Sequence, residues 1–317
     1  MKQWISKNRQ MLLRGAGSLL AIGLLIFLIA QQGWDEIAAA VGQIPLWRFL
    51  LATALVFVSR FFVIGRWHVL LRSANVRIPY SRSAALTFTG LFASNFLPTT
   101  IGGDVVRFAG AVEMGYGSSL ILASLVADRL IGMLGMAMVL PLGLAALWST
   151  VTGQTVQAIS LAGLWAKGRN FLKKTFEALS VWFRKPVPLL GALGMTWGHM
   201  LCTFASASVL LTGLNDPVPF WTIAGLWSIS YFVTLVPISI NGYGVQELSL
   251  TYLFAEVAGT SMASALTLAV LVRVITVIAS LPGAYYLPSL LTAIDKAKTD
   301  STSSLKGETK SGEGNPQ

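Results

Sequence analysis

The sequence predicts an all-α protein, a polytopic transmembrane helical bundle of about six to eight spans. Three observations carry that expectation. Of 317 residues, 54% are apolar and 11% charged, far from the ~25% charge of soluble domains, and mean hydropathy is +0.68. Several apolar stretches approach or exceed the ~20 residues that a helix needs to cross ~30 Å of hydrocarbon, whereas barrel strands alternate over ~10 residues. The bases cluster beside these stretches, so the net charge of +10 reads as a topology signal and not as a nucleic-acid footprint.

Taken in order, Lys2, Lys7, Arg9 and Arg14 precede an apolar run to Ala30 without a clear cleavage pattern, which predicts a retained first span. The linker 31–43 carries Asp35 and Glu36 and no base. A second run, Leu46 to Ile64, leads into Arg60, Arg66, Arg72, Arg77 and Arg82. By the positive-inside rule the amino terminus and residues 66–82 are cytoplasmic, in a cell inner membrane. A third basic group, Lys167 to Lys185, is interleaved with Trp165, Phe171, Phe176 and Trp182; it reads as an interfacial segment over 165–185 on anionic lipid, or as a solvated loop. Further runs follow at Leu189 to Leu211, Phe220 to Val236 and Met262 to Leu287, with an outer turn at Asn215 and Asp216. One transmembrane domain, 1–294, is expected, with halves at about 10–150 and 187–290; residues 295–317, rich in Ser, Gly, Thr and Lys, read as a disordered tail.

Two segments are too interrupted for ordinary spans: Ser83 to Tyr116, broken at Pro98 and Gly102-Gly103, and Pro237 to Ala258, broken at Asn241-Gly242 and Gly244. Both predict broken helices that cross or re-enter, and the span count depends on which, and on whether Pro141 splits the run from Ser119 to Trp148. They resemble each other. FLPTTIGGDVVR at 96–107 and LVPISINGYGVQE at 235–247 align Pro98 with Pro237, Gly103 with Gly242 and Val106 with Val245, and each is followed by an arginine in an apolar run, Arg129 and Arg273. This is a weak internal repeat. Gly/Pro-interrupted segments at matching places in two halves point to a transporter site, where half-helix ends favour an anion; the plainer reading is that they only kink packed helices.

Of 23 bases, all but Arg48, Arg107, Arg129 and Arg273 fall in the three clusters or the tail. Arg48 can snorkel at a span end. The other three need a counter-charge or a wet cavity, since a central arginine costs roughly 2.5–3.5 kcal/mol on insertion scales. Asp104 and Arg107 share a helical face, Asp128 and Arg129 point apart, and Arg273 lacks a local acid, with Glu247 or Asp128 as its structural alternative. A lipid phosphate bound by Arg107, Arg129 and Arg273, with Gly102, Gly103 and Gly242 at helix ends and Asp104, Asp128 and Glu247 as charge partners, is the candidate substrate site. His68 and His199 have no metal-ligand or nucleophile-base spacing and read as packing, as does Cys202. No Walker-type loop is present, so no nucleotide cofactor, no metal and no catalytic residue is expected.

NFLPTTIGGDVVR, VADRLIGML at 126–134 and PISINGYGVQE at 237–247 resemble the lysylphosphatidylglycerol synthase transmembrane-region family, also called flippase-like domain proteins, over about residues 10–290. The family's glycine-aspartate-x-x-arginine segment, acidic-arginine pair and proline-serine-x-glycine-x-glycine-x-x-glutamate segment are matched at Asp104, Arg107, Asp128, Arg129 and Glu247. The sequence departs at Asn241 and Tyr243, and has Gln246 where arginine is frequent. The resemblance implies a helical bundle that flips lipids or supports polyprenyl-linked precursor handling, here expected without the aminoacyl-transferase domain of some members. The leading expectation is an inner-membrane flippase of a phosphate-bearing lipid. Its rivals are a non-catalytic partner of an envelope-lipid or isoprenoid-lipid biosynthetic enzyme, and a membrane-embedded lipid-modifying enzyme.

Overall fold

A computed structural model describes residues 39, 41–95, 97, 102–152, 186–236 and 242–286. The expected first span, the basic segment at 165–185 and the tail lie outside those residues. All regular structure among the described residues is helical: α1 Leu46–Ser73, α2 Tyr80–Ser94, α3 Gly102–Glu113, α4 Ser118–Thr152, α5 Pro186–Gly213, α6 Phe220–Leu235, α7 Val245–Tyr252 with a π-helical turn Leu253–Val257, and α8 Met262–Ser280. Four are long and apolar enough to cross a membrane: α1, α4, α5 and α8 with its terminal turn to Tyr286.

The boundaries follow local chemistry. Pro45, Pro79 and Pro219 sit just ahead of α1, α2 and α6 with φ between −62° and −56°, the angle proline fixes and a helix start accepts. The turns after α1 and α5 hold Asn75 and Asn215 at φ 63° and 58°, a left-handed conformation that asparagine tolerates. The Ser261 hydroxyl accepts the Ser264 N–H at 3.1 Å and caps α8. Pro141 lies inside α4 without breaking it, so that run is one span.

Both interrupted segments re-enter. The Gly90 and Gly103 backbones meet so closely that a Cβ on Gly90 would lie 2.6 Å from the Gly103 carbonyl oxygen; only glycine permits this approach of α2 and α3. The Tyr116 hydroxyl, after α3, donates to the Arg77 carbonyl before α2 at 3.3 Å, so both hairpin ends lie at the face where α1 ends. In the second half the Ser261 N–H, beyond the π turn, donates to Asp216 Oδ2 before α6 at 2.9 Å. The run Phe220 to Val236, expected as a span, is thus the first arm of a hairpin, and at 16 residues it is too short for an ordinary crossing.

The two halves are inverted copies. α1 and α5 have 28 residues each, and their contacts run antiparallel: Gly65 faces Met195, Phe62 faces Gly198, Val69 faces Gly191, and Ser206 Oγ donates to the Ala52 carbonyl at 3.1 Å. Hairpin one therefore enters from the face where α1 ends, and hairpin two from the opposite face. Their tips meet: Tyr243 donates to the Asn95 carbonyl at 3.2 Å, and the Asn95 amide donates to Ser280 Oγ at 2.9 Å. Trp47, Trp148 and Trp221, all exposed, mark one face at the start of α1, the end of α4 and the start of α6, as interfacial belts require. Between the faces, a core of Phe204, Trp227, Leu268 and Ile275 binds α5, α6 and α8.

The Asp216 contact supports one prediction. Burial alone would push this loop carboxyl up, but the Ser261 N–H and the hydroxyls of Ser264 and Ser261 outweigh it and hold the group below its ordinary 3.8. A depressed carboxylate adds stability that is complete above 3.8 and fades as pH falls below it. Amide exchange in the 258–261 loop should accelerate beyond the intrinsic rate as pH falls below about 4. In Asp216→Asn the loop's protection should not depend on pH; the same acid response in that variant would refute the assignment.

Candidate functional site

Hairpin one, α1 and α4 bring four arginine–aspartate contacts into one network. Arg66 Nε donates to Asp128 Oδ1 at 2.7 Å, Arg107 Nη1 lies 3.2 Å from Asp128 Oδ2 and 3.1 Å from Asp104 Oδ1, and Arg129 Nε pairs with Asp104. Asp128 and Arg129 do point apart, yet both join this network through different partners. Among the described residues its three arginines and two aspartates sum to a net charge of +1.

Each side chain is set by its element. Asp104 stands in the first turn of α3, where the helix N-terminus favours a carboxylate. The Gly90–Gly103 contact presses α3 onto α2 and buries Arg107, whose guanidinium lies 4.2 Å over the Trp67 ring; Trp67 Nε1 in turn donates to Ser124 Oγ at 3.1 Å. Gly132 on α4 makes room for Arg66, since a Cβ there would lie 2.9 Å from Arg66 Nη1. Arg66 also reaches Thr196 on α5 at 3.5 Å.

A cavity of about 140 Å³ opens on this network, lined by Thr87, Gly90, Ser94, Asp104, Arg107 and Arg129 among others. At ~30 Å³ per water it holds several waters' volume, enough for a phosphate group. Arg107 Nε and Nη2 and Thr87 Oγ1 are buried without hydrogen-bond partners, and buried donors left unmade are costly. Both residues that carry these atoms, Arg107 and Thr87, line the cavity.

The second half carries a neutral counterpart. Arg129 and Arg273 stand at equivalent positions of α4 and α8, eleven residues after Ser118 and Met262. Arg273 pairs with Glu247, donates to Gln246 Oε1 at 3.2 Å and lies 4.4 Å over the Tyr243 ring. With Gly103 aligned to Gly242, Tyr243 and Gln246 occupy the places of Asp104 and Arg107, so Arg129 and Arg273 touch one equivalent hairpin position, at Asp104 and Tyr243. Glu247 is further fixed by the Gly244 N–H at 2.9 Å, and Gly242 and Gly244 adopt φ 72° and 77°, open to glycine and strained for other residues.

Sequence reasoning placed Arg66 and Arg60 in a cytoplasmic cluster; the structure corrects this. Both lie inside α1, which runs on to Ser73, and Arg66 is a buried member of the network. Val69, Leu70 and Leu71 after it were the available signal, because the apolar pattern resumes before the turn at Asn75. Thr87 and Trp67 also escaped notice, as neither carries a charge. His68 meets Ser83 Oγ at 3.1 Å, and Gly102 lies beside Leu97 at the hairpin tip.

Re-entrant hairpins between four long apolar helices define a multi-pass helical membrane protein. The chain belongs to the family described as the lysylphosphatidylglycerol synthase TM region, whose model matches residues 15–283, and this links it to lipid handling at the membrane. No individual curated protein matches the chain.

Proposed function

We propose that the protein moves a lipid with a phosphate-bearing headgroup between the leaflets of the cell inner membrane, and that it transports without catalysing. The observation that carries this reading is the cavity at Arg107, Arg129 and Thr87, whose network sums to one positive charge among the described residues and whose lining residues Arg107 and Thr87 hold three unmet polar atoms. A phosphodiester headgroup bears one negative charge, so it would neutralise the network, and guanidinium donors suit its oxygens. The inverted repeat supports the reading, because it offers a matching half-site from each face. In this scheme Gly102, Gly103 and Gly242 let backbone approach the headgroup, and Asp104, Asp128 and Glu247 hold the arginines between turnovers. The face bearing Arg72, Arg77 and Arg82 is cytoplasmic, as is the amino terminus.

Arg129 is the cleanest test, because its side chain is 37% accessible and Asp104 keeps Arg107 when it is removed. In liposomes carrying fluorescent phosphatidylglycerol, Arg129→Gln should slow leaflet exchange about tenfold or more, the worth of a charge-assisted hydrogen bond, with unchanged thermal unfolding. Unaltered exchange would sink the site. No exchange with any anionic phospholipid or polyprenyl phosphate in the native protein would sink translocation itself and favour a partner of a lipid-biosynthetic enzyme.

A further inference from the structure

Arg60 and His199 are the central residues of α1 and α5, two antiparallel 28-residue spans. At 1.5 Å per residue each helix is ~42 Å long, so these side chains stand near the middle of the bilayer, where an uncompensated arginine is most costly. Arg60 points inward, because it shares a helical stripe with Val56, Ile64 and Trp67, all buried. Its Nε and His199 Nδ1 are both buried without a hydrogen-bond partner, and the two residues are close enough to interact electrostatically.

Among the described residues no carboxylate pairs with Arg60, and Asp128, which acts on His199 across the seam, is itself held by Arg66 and Arg107. Of 13 acids, Asp104, Asp128 and Glu247 are held by other arginines, Asp216 holds Ser261 in a loop, and Glu113 and Glu256 are exposed at hairpin ends. The remaining seven fall in the linker, basic and tail stretches of the sequence, and none lies in an apolar run. Among the described residues, Arg60 therefore stands without a counter-charge at mid-membrane.

We propose that Arg60 and His199 form a separate anion station at the bilayer midplane, which takes a phosphate group as it passes between the two hairpin half-sites. This rests on the translocator reading, but its binding can be tested apart from transport. The station lies on the α1–α5 seam, two helical turns along the stripe from the Trp67 ring that carries Arg107, and so between the two halves. Holding an empty cationic site there destabilises the unliganded protein, which is why the side chain is worth keeping only if an anion visits.

The test uses the full chain in neutral detergent, with thermal unfolding followed against added phosphatidylglycerol, phosphatidylcholine or inorganic phosphate. The native chain should be stabilised by phosphatidylglycerol and not by phosphatidylcholine; a matching response to inorganic phosphate would assign the station to the free anion as well as to the headgroup. Arg60→Met should be at least as stable as the native chain without lipid, and should need about tenfold more phosphatidylglycerol for the same shift. Arg48→Met, which removes a charge at a span end, should leave the response intact. Unchanged phosphatidylglycerol response in Arg60→Met, or a variant less stable than the native chain before lipid is added, would overturn the station. If the native chain binds through Arg60 yet exchanges no lipid, the station stands and the translocator reading fails.

Discussion

Asp128→Asn is expected to leave the protein unable to survive extraction as a folded bundle. Asp128 is 2% exposed and neutralises two buried arginines from two other elements, Arg66 at 2.7 Å and Arg107 at 3.2 Å. Removing one member of a buried pair costs roughly 3–5 kcal/mol, because the orphaned charge cannot return to water. Arg66 is orphaned outright and Arg107 is left with only the Asp104 carboxylate that it shares with Arg129, against a total stability of about 5–15 kcal/mol for ordinary domains. The measurement is the fraction of monodisperse protein after detergent extraction, with its unfolding temperature. Adding Arg66→Met should restore part of the loss by deleting one orphan, whereas a structural need for the aspartate's shape alone would give no rescue. Asp104→Asn should cost less, since Arg129 is partly accessible. A native-like unfolding temperature for Asp128→Asn would show that the network is not what joins α1, α3 and α4.

The class of fold was legible in the sequence, because apolar runs near the width of a bilayer report their own environment. The hairpins were half legible. Pro98, Gly103, Pro237 and Gly242 marked the breaks, but whether a broken segment crosses or returns depends on contacts such as Tyr116 with Arg77 and Ser261 with Asp216, which join residues far apart in sequence. The inversion escaped for the same reason: α1 and α5 match in length and in their asparagine turns, yet only their antiparallel packing reverses one half. Charge counting picked out Arg107, Arg129 and Arg273, since an arginine in an apolar run needs an answer. It passed over Arg60 and Arg66, where a nearby basic loop offered a sufficient explanation at the wrong depth. It also weighted Arg273 most, as the arginine without a local acid, whereas Glu247 and Gln246 meet it from α7 and the described cavity with unmet donors lies in the other half.

That difference between the halves sets the expected behaviour of the second site. Arg273 and Glu247 sum to zero charge, and the arginine is also held by Gln246 and Tyr243, so an arriving phosphate must displace the carboxylate to be bound. Arg273→Gln should abolish leaflet exchange of fluorescent phosphatidylglycerol, but it also leaves Glu247, 4% exposed, without its cation and costs stability by the argument made for Asp128. The informative partner is Glu247→Gln. It keeps the Arg273 charge while removing its competitor, so phosphatidylglycerol should bind about tenfold or more tighter, as expected when a charge-assisted contact no longer has to be exchanged. Exchange should nevertheless slow, because the carboxylate that helps release the headgroup is gone. The pair of variants thus separates roles: a purely structural ion pair predicts that Arg273→Gln with Glu247→Gln recovers both stability and transport, whereas displacement by substrate predicts recovery of stability alone. Transport regained in the double variant would remove Arg273 from the pathway and leave the cavity at Arg107 and Arg129 as the headgroup's binding point.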